Sequence, residues 1–160
     1  MKSLFLLLLI IISPILFSIG SDCNEKLPMN EQIIAFVNSN MNKKVGKGEC
    51  WDLANEALKL VEAKWDGNLK FGRKVDYKKE CIYPGDIIQF EKVKVKYTEN
   101  KITYLESMAH HSAIIYEVKG IGDFILAHQN TAYTGRKVGT SSLNLMNVTG
   151  GKISIFRPEK

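Results

Sequence analysis

Apolar positions in the first third of the chain recur at helical spacing. Ile33, Ile34, Phe36, Val37 and Met41 follow Asn30, Glu31 and Gln32, a capping asparagine with an early acid. The spacing predicts a helix over about 30–41, stopped by Gly46 and Gly48. A second block, Trp51 to Ala63, places Leu53, Ala54, Ala57, Leu58 and Val61 on one stripe and Asn55, Glu56, Lys59 and Glu62 away from it. From residue 84 the pattern changes to short apolar runs: Asp86–Phe90, Ile102–Leu105, Ser112–Val118, Phe124–His128 and Lys152–Phe156, separated by Gly85, Gly120, Gly122, Gly135, Gly150 and Gly151. Two helices followed by runs at hairpin spacing predict an α+β fold, with N-terminal helices packed on an antiparallel five- to six-stranded sheet. No internal repeat, low-complexity tract or linker is visible, and 160 residues suit a single domain.

The first twenty residues stand outside this pattern. Lys2 supplies a short positive start, Leu4 to Ile12 form an uncharged apolar block that continues to Phe17, and Ser18 to Gly20 offer small residues for cleavage. Pro14 interrupts the run, which argues against a membrane anchor, and Asp22 before Cys23 argues against a lipoprotein. We expect residues 1–20 to be a signal peptide. Residues 21–160 then form one domain, secreted or extracellular (periplasmic in a bacterium), with no stable membrane insertion after cleavage. Export alters the reading of three cysteines, because disulfides persist in oxidising compartments and an odd count leaves one thiol over. Cys50 is the one expected free, with Cys23 and Cys81 as the hypothetical pair.

Net charge is +5, of which Lys2 takes one, leaving +4 for residues 21–160. The lysines are scattered (Lys43, Lys44, Lys47, Lys78, Lys79, Lys92, Lys94, Lys96), without stacking aromatics or a basic helix, so no nucleic-acid partner is expected. An anionic cell-wall polymer would fit the charge as well as solvent does.

The candidate chemistry centres on Cys50. It follows Gly46-Lys47-Gly48-Glu49 and opens the second predicted helix, where unsatisfied N–H groups and the positive end of the helix dipole favour thiolate. A free cysteine alone is more often a small packed residue. The three histidines, at 110, 111 and 128, change the balance, since they fall on two predicted neighbouring strands. A helix-start cysteine with strand-borne histidines is the layout that Cys–His nucleophilic catalysis needs. Side-chain alternation puts His111 with Ala113 and Ile115, His110 on the other side with Ser112 and Ile114, and His128 with Leu126 and Asn130. His111 and His128 would then face each other across a hairpin turned by Gly120 and Gly122, with His128, or else Asn130, orienting the His111 ring. Zinc is the competing chemistry, but no two of these residues have paired-ligand spacing, and no metal or other cofactor is expected.

The segments GKGECWDLANEAL, YPGDIIQF, HHSAIIYEV and FILAHQN, in this order, resemble the NlpC-like and CHAP-like branches of the papain-fold cysteine hydrolases over residues 30–158. The resemblance implies that Cys50 is the nucleophile, His111 the base and His128 the third residue, with Asn130 matching a CHAP asparagine. Pro84, Gly85 and Asp86 match the turn that begins the first strand. It also implies acyl transfer through a Cys50 thioester on an amide bond, in a peptide or a peptidoglycan-like substrate, by a monomer. One departure is Glu49, where CHAP proteins often carry a glutamine that helps bind the oxyanion; a carboxylate there would repel the developing charge. A non-catalytic binding module on the same fold, with a structural cysteine, is therefore the alternative. Asn147-Val148-Thr149 is a glycosylation sequon if the source is eukaryotic. Loops over 64–82 and 131–142 would shape specificity but carry no diagnostic motif.

Overall fold

The computed structural model describes residue 23, residues 25–67 and residues 70–160. The expected signal peptide, 1–20, lies outside the described residues. Helix α1 spans Pro28–Asn40 and α2 spans Asp52–Leu60. Neither boundary matches the sequence expectation. Pro28, whose fixed φ suits a first helical turn, starts α1 two residues early behind Leu27, which makes no side-chain cap. Asn30 is not a cap: it is buried, and its Nδ2 donates to Pro84 O and to Asp86 Oδ1, both at 2.9 Å. α2 is shorter than 51–63 because Val61 closes it and Glu62 turns left-handed at φ 54°.

The described strands are β1 (Arg73–Val75), β2 (Ile87–Glu99), β3 (Ile102–Gly120), β4 (Asp123–His128), β5 (Gly139–Asn144) and β6 (Val148–Arg157). They form one six-stranded sheet in the order β1-β6-β2-β3-β4-β5, every pair antiparallel. The two runs predicted at 102–105 and 112–118 are one long strand, paired to β2 along its length from Ile87↔Ile114 to Glu99↔Ile102. β1 and β5 fall in segments read as loops. Three-residue β1 is too short to show alternation, and Gly139-Thr-Ser-Ser carries little apolar signal.

Both faces of the sheet are buried. On one, α1 and α2 cover Ile87, Ile114, Ala127 and Phe156 with Ile33, Val37, Leu53, Ala57 and Leu58. On the other, Ile88, Phe90, Ala113, Ile115, Phe124, Leu126 and Ile155 pack among themselves with Val75, Ile82 and Leu143. The face away from the helices is curled where a bulge bends β2. Lys92 sits at φ 53° and the register against β6 slips between Glu91 and Lys94. This bulge lets Phe90 and Val93, three residues apart, face the same cluster.

The Pro84-Gly85-Asp86 turn is the joint between the layers. Gly85 has φ 91°, and a Cβ there would lie 2.7 Å from Asn30 O. Asp86 has no solvent exposure. Its carboxylate accepts from Asn30 Nδ2, from Tyr83 N at 3.0 Å and from Arg157 Nε and Nη2 at 3.2 and 2.9 Å. Arg157 also donates to Cys81 O at 2.6 Å and stacks over Tyr83. Cys81 is disulfide-bonded to Cys23, closing a loop with a sequence separation of 58. A loop of that size is worth about 4 kcal/mol in the chain-entropy account.

Candidate active site

Cys50 occupies a turn closed by Asp52 N donating to Glu49 O at 3.1 Å, just ahead of the first residue of α2. It is a half-buried free thiol. The loop before it is held by side chains. The carboxylate of Asp52, itself buried, reaches back to accept from Lys47 N at 2.7 Å and Glu49 N at 3.0 Å. Gly46 makes room for this, since a Cβ there, at φ 57°, would lie 2.9 Å from the Asp52 carboxyl carbon. From the end of β4, fully buried Gln129 accepts from Val45 N at 3.1 Å and donates to Val45 O at 2.9 Å and Glu49 O at 2.8 Å. The backbone N–H of Cys50 has no hydrogen-bond partner among the described residues.

His111 and His128 stand on the curled face of the sheet with Phe90, Ala113 and Leu126. Their rings meet edge to face, with His111 Nε2 3.1 Å from His128 Nδ1. On its far side His128 Nε2 lies 3.1 Å from Ser141 Oγ on β5. Both imidazoles are buried, and burial pushes His111 down to about 4. His128 is also lowered to about 4, by burial first and then by the neighbouring His111. Both rings are therefore neutral at pH 7.

Cys50 and His111 share the walls of one cavity of about 250 Å³, together with Trp51, Trp65, Phe71, Gln89, His110 and Ser112. Among the described residues no hydrogen bond joins Cys50 to His111. Trp51 is 41% exposed and leans on Trp65, which stacks on Phe71. Residues 26–160 match the family model of the AIM3/BBC1 cysteine proteinase-fold domain. The chain belongs to this family.

A papain-like α+β arrangement is thus what the two helices and six strands form. No curated protein matches the chain. Solved structures similar to it include that of Ly7917 and that of Ly7917 with the hydrolyzing product of MDP. They share 14% and 16% identity over 79% and 81% of this chain, each with a TM-score of 0.47. The chain covers 62% and 63% of those two structures, less than two thirds of their length.

In this AIM3/BBC1-type domain the structure separates residues that the sequence left together. Asn130, at φ 62°, does not reach His111; its Nδ2 donates to Glu49 Oε2 at 2.9 Å. Arg136 Nη2 takes the other oxygen, Glu49 Oε1, at 2.6 Å. Both oxygens of the carboxylate that would oppose an oxyanion are thereby engaged on the side of the 130–136 loop. Exposed His110 pairs with Glu91 across the strands. Among the described residues no group of three or more metal-ligating side chains converges. Sequence reasoning missed Gln129, Ser141 and Arg136. Gln129 follows His128 and so faces the helices, a position that alternation could have flagged.

A larger cavity of about 780 Å³ opens on the curled face, with His111 and His128 on its wall and Val95, Met108 and Leu143 among its apolar lining. Tyr133, from the β4–β5 connection, spans it: its hydroxyl donates to Glu106 Oε1 at 2.7 Å, which holds the phenol up at about 12. Asn147 lies in a 3₁₀ turn on the same side.

Proposed function

We propose that the domain is a secreted cysteine hydrolase of the NlpC-like or CHAP-like kind, cleaving an amide bond in a peptide or peptidoglycan-like substrate. One observation carries the reading: His111 lies on the wall of the Cys50 cavity and has its Nε2 3.1 Å from a second buried histidine. The disulfide supports an exported chain. The one-domain span of 21–160 is supported by the family match, which begins at residue 26.

The contacts allow two proton arrangements, and His111 as base needs one of them. In it His128 donates from Nε2 to Ser141 Oγ and accepts at Nδ1 from His111 Nε2–H. The His111 lone pair is then on Nδ1. It takes the Cys50 thiol proton as Sγ attacks the substrate carbonyl, returns it to the leaving amine, and assists water against the thioester. Neutral His128 holds the ring in this tautomer and accepts from the imidazolium when it forms.

A second reading, the binding module, is favoured by the absence of a Cys50–His111 hydrogen bond among the described residues, although such bonds often tighten only with substrate. The test uses iodoacetamide labelling at neutral pH and the release of new amino groups from peptidoglycan and from unfolded protein. Wild type should label at Cys50 and release amines. Cys50→Ala should do neither, His111→Ala should slow both, and His110→Ala should leave most of each intact. Equal losses from the two histidine changes would remove His111 as base, and amine release no greater than from Cys50→Ala would leave the binding module.

A further inference from the structure

Acyl transfer needs donors for the oxyanion, and in this domain residue 49, which could have supplied an amide, is a carboxylate bound to Asn130 and Arg136. Gln89 offers a replacement. It lies on β2 directly opposite Ser112, the neighbour of His111, and both line the Cys50 cavity. Its amide orientation is fixed from both ends. Phe90 O can only accept, so the group 3.3 Å from it is Nε2, and Gln89 Oε1 accepts from Ser112 Oγ at 2.6 Å. The second N–H of Nε2 has no partner among the described residues, yet the side chain is only 2% exposed. An unspent buried N–H is costly unless it meets water or a ligand, and the Cys50 cavity is the open space that Gln89 borders.

Resting on the hydrolase reading above, we infer that Gln89 is a catalytic residue: its free Nε2–H, with the backbone N–H of Cys50, forms the oxyanion hole. Attack by Cys50 Sγ forms the S–C bond and moves the carbonyl π pair onto oxygen. That oxygen, at full charge, receives both donors. Collapse restores the C=O bond and expels the leaving group, which takes the His111 proton when it is an amine. Ser112 is a positioning residue, since its hydroxyl holds Gln89 Oε1 and turns the amino end away from itself.

The experiment compares two reactions of the same thiol. p-Nitrophenyl acetate acylates Cys50 through a tetrahedral oxyanion and releases p-nitrophenolate, whereas iodoacetamide alkylates it by displacement with no oxyanion. Gln89→Met, which keeps length and shape, and Gln89→Ala should lower the acylation rate constant about 100-fold. Alkylation should stay within about threefold in both, reporting an intact fold and an accessible thiol. Ser112→Ala should give a smaller loss of the same kind. Unchanged acylation in both Gln89 variants would overturn the inference, as would parallel losses in the two reactions, which mark a merely structural glutamine. Failure of the wild type to acylate at Cys50 would instead overturn the hydrolase reading, and this inference with it.

Discussion

Lowering the pH from 7 to 5 should destabilise this fold through its histidine pair. Folded His111 and His128 are held down at about 4, against about 6.5 in the unfolded chain. The unfolded state therefore binds protons first. The stability each ring contributes is complete above pH 6.5 and is lost as the pH falls from there towards 4. Integrating that difference gives about 2 kcal/mol per histidine at pH 5 and roughly 3 kcal/mol below pH 4. Both rings are almost fully buried, so solvent screening removes little of this. For the pair the loss at pH 5 is about 4 kcal/mol, a large part of the margin of a domain this size. Urea unfolding at pH 7, 6 and 5 measures it, with His128→Gln as the comparison. That variant keeps an acceptor beside His111 and should lose only about half as much between pH 7 and 5. Histidine ring protons followed by NMR give the midpoints directly. A midpoint near 6.5 for either buried ring, or a wild type as stable at pH 5 as at pH 7, would refute the burial argument.

Two further outcomes follow from the polar joints. Asp86→Ala leaves Arg157 and Asn30 without their buried carboxylate and should cost about 3–5 kcal/mol in urea unfolding. Asn130→Ala should leave p-nitrophenyl acetate acylation of Cys50 within about threefold, because its exposed bond to Glu49 is one of several ties on the Cys50 loop, whereas His128→Ala should lower acylation by about 100-fold. Reversed sensitivities would make Asn130 the group that acts on the base.

Much of this arrangement was legible in the chain because it depends on period. The stripe from Leu53 to Val61 could bury only as a helix, and the alternation through His111, Ala113 and Ile115 already put His111 on the side where it meets His128. What could not be read depends on backbone that breaks the period. The bulge at Lys92 bends β2 and slips its register against β6, and no residue type around it marks the place. Asn130, also left-handed, shares parity with His128 on paper, and its turn swings the amide to Glu49 instead. β5, which supplies Ser141, is a polar edge strand whose hydroxyls carry no hydrophobic signal. Asn30 looked like a cap because a helix-start asparagine usually is one. Only the approach of Gly85 shows that it was needed inside.

The loop that presents Cys50 bears on the choice between catalysis and binding. Connections at a surface are ordinarily mobile and sparsely bonded. This one is tied by Asp52 from its own helix, by Gln129 from the end of β4, and by Asn130 and Arg136 from the next connection. Gln129 and Asp52 are buried, so their bonds act where water competes poorly and a lost partner is expensive. A recognition loop that adapts to its ligand gains nothing from such fixing. A nucleophile does, since a displacement of about 1 Å can cost 100-fold in rate. The Glu49 carboxylate, which seemed to oppose an oxyanion, belongs to this scaffold: its salt bridge to Arg136 and its bond from Asn130 are part of what holds the loop, and they leave the charge of the intermediate to other donors.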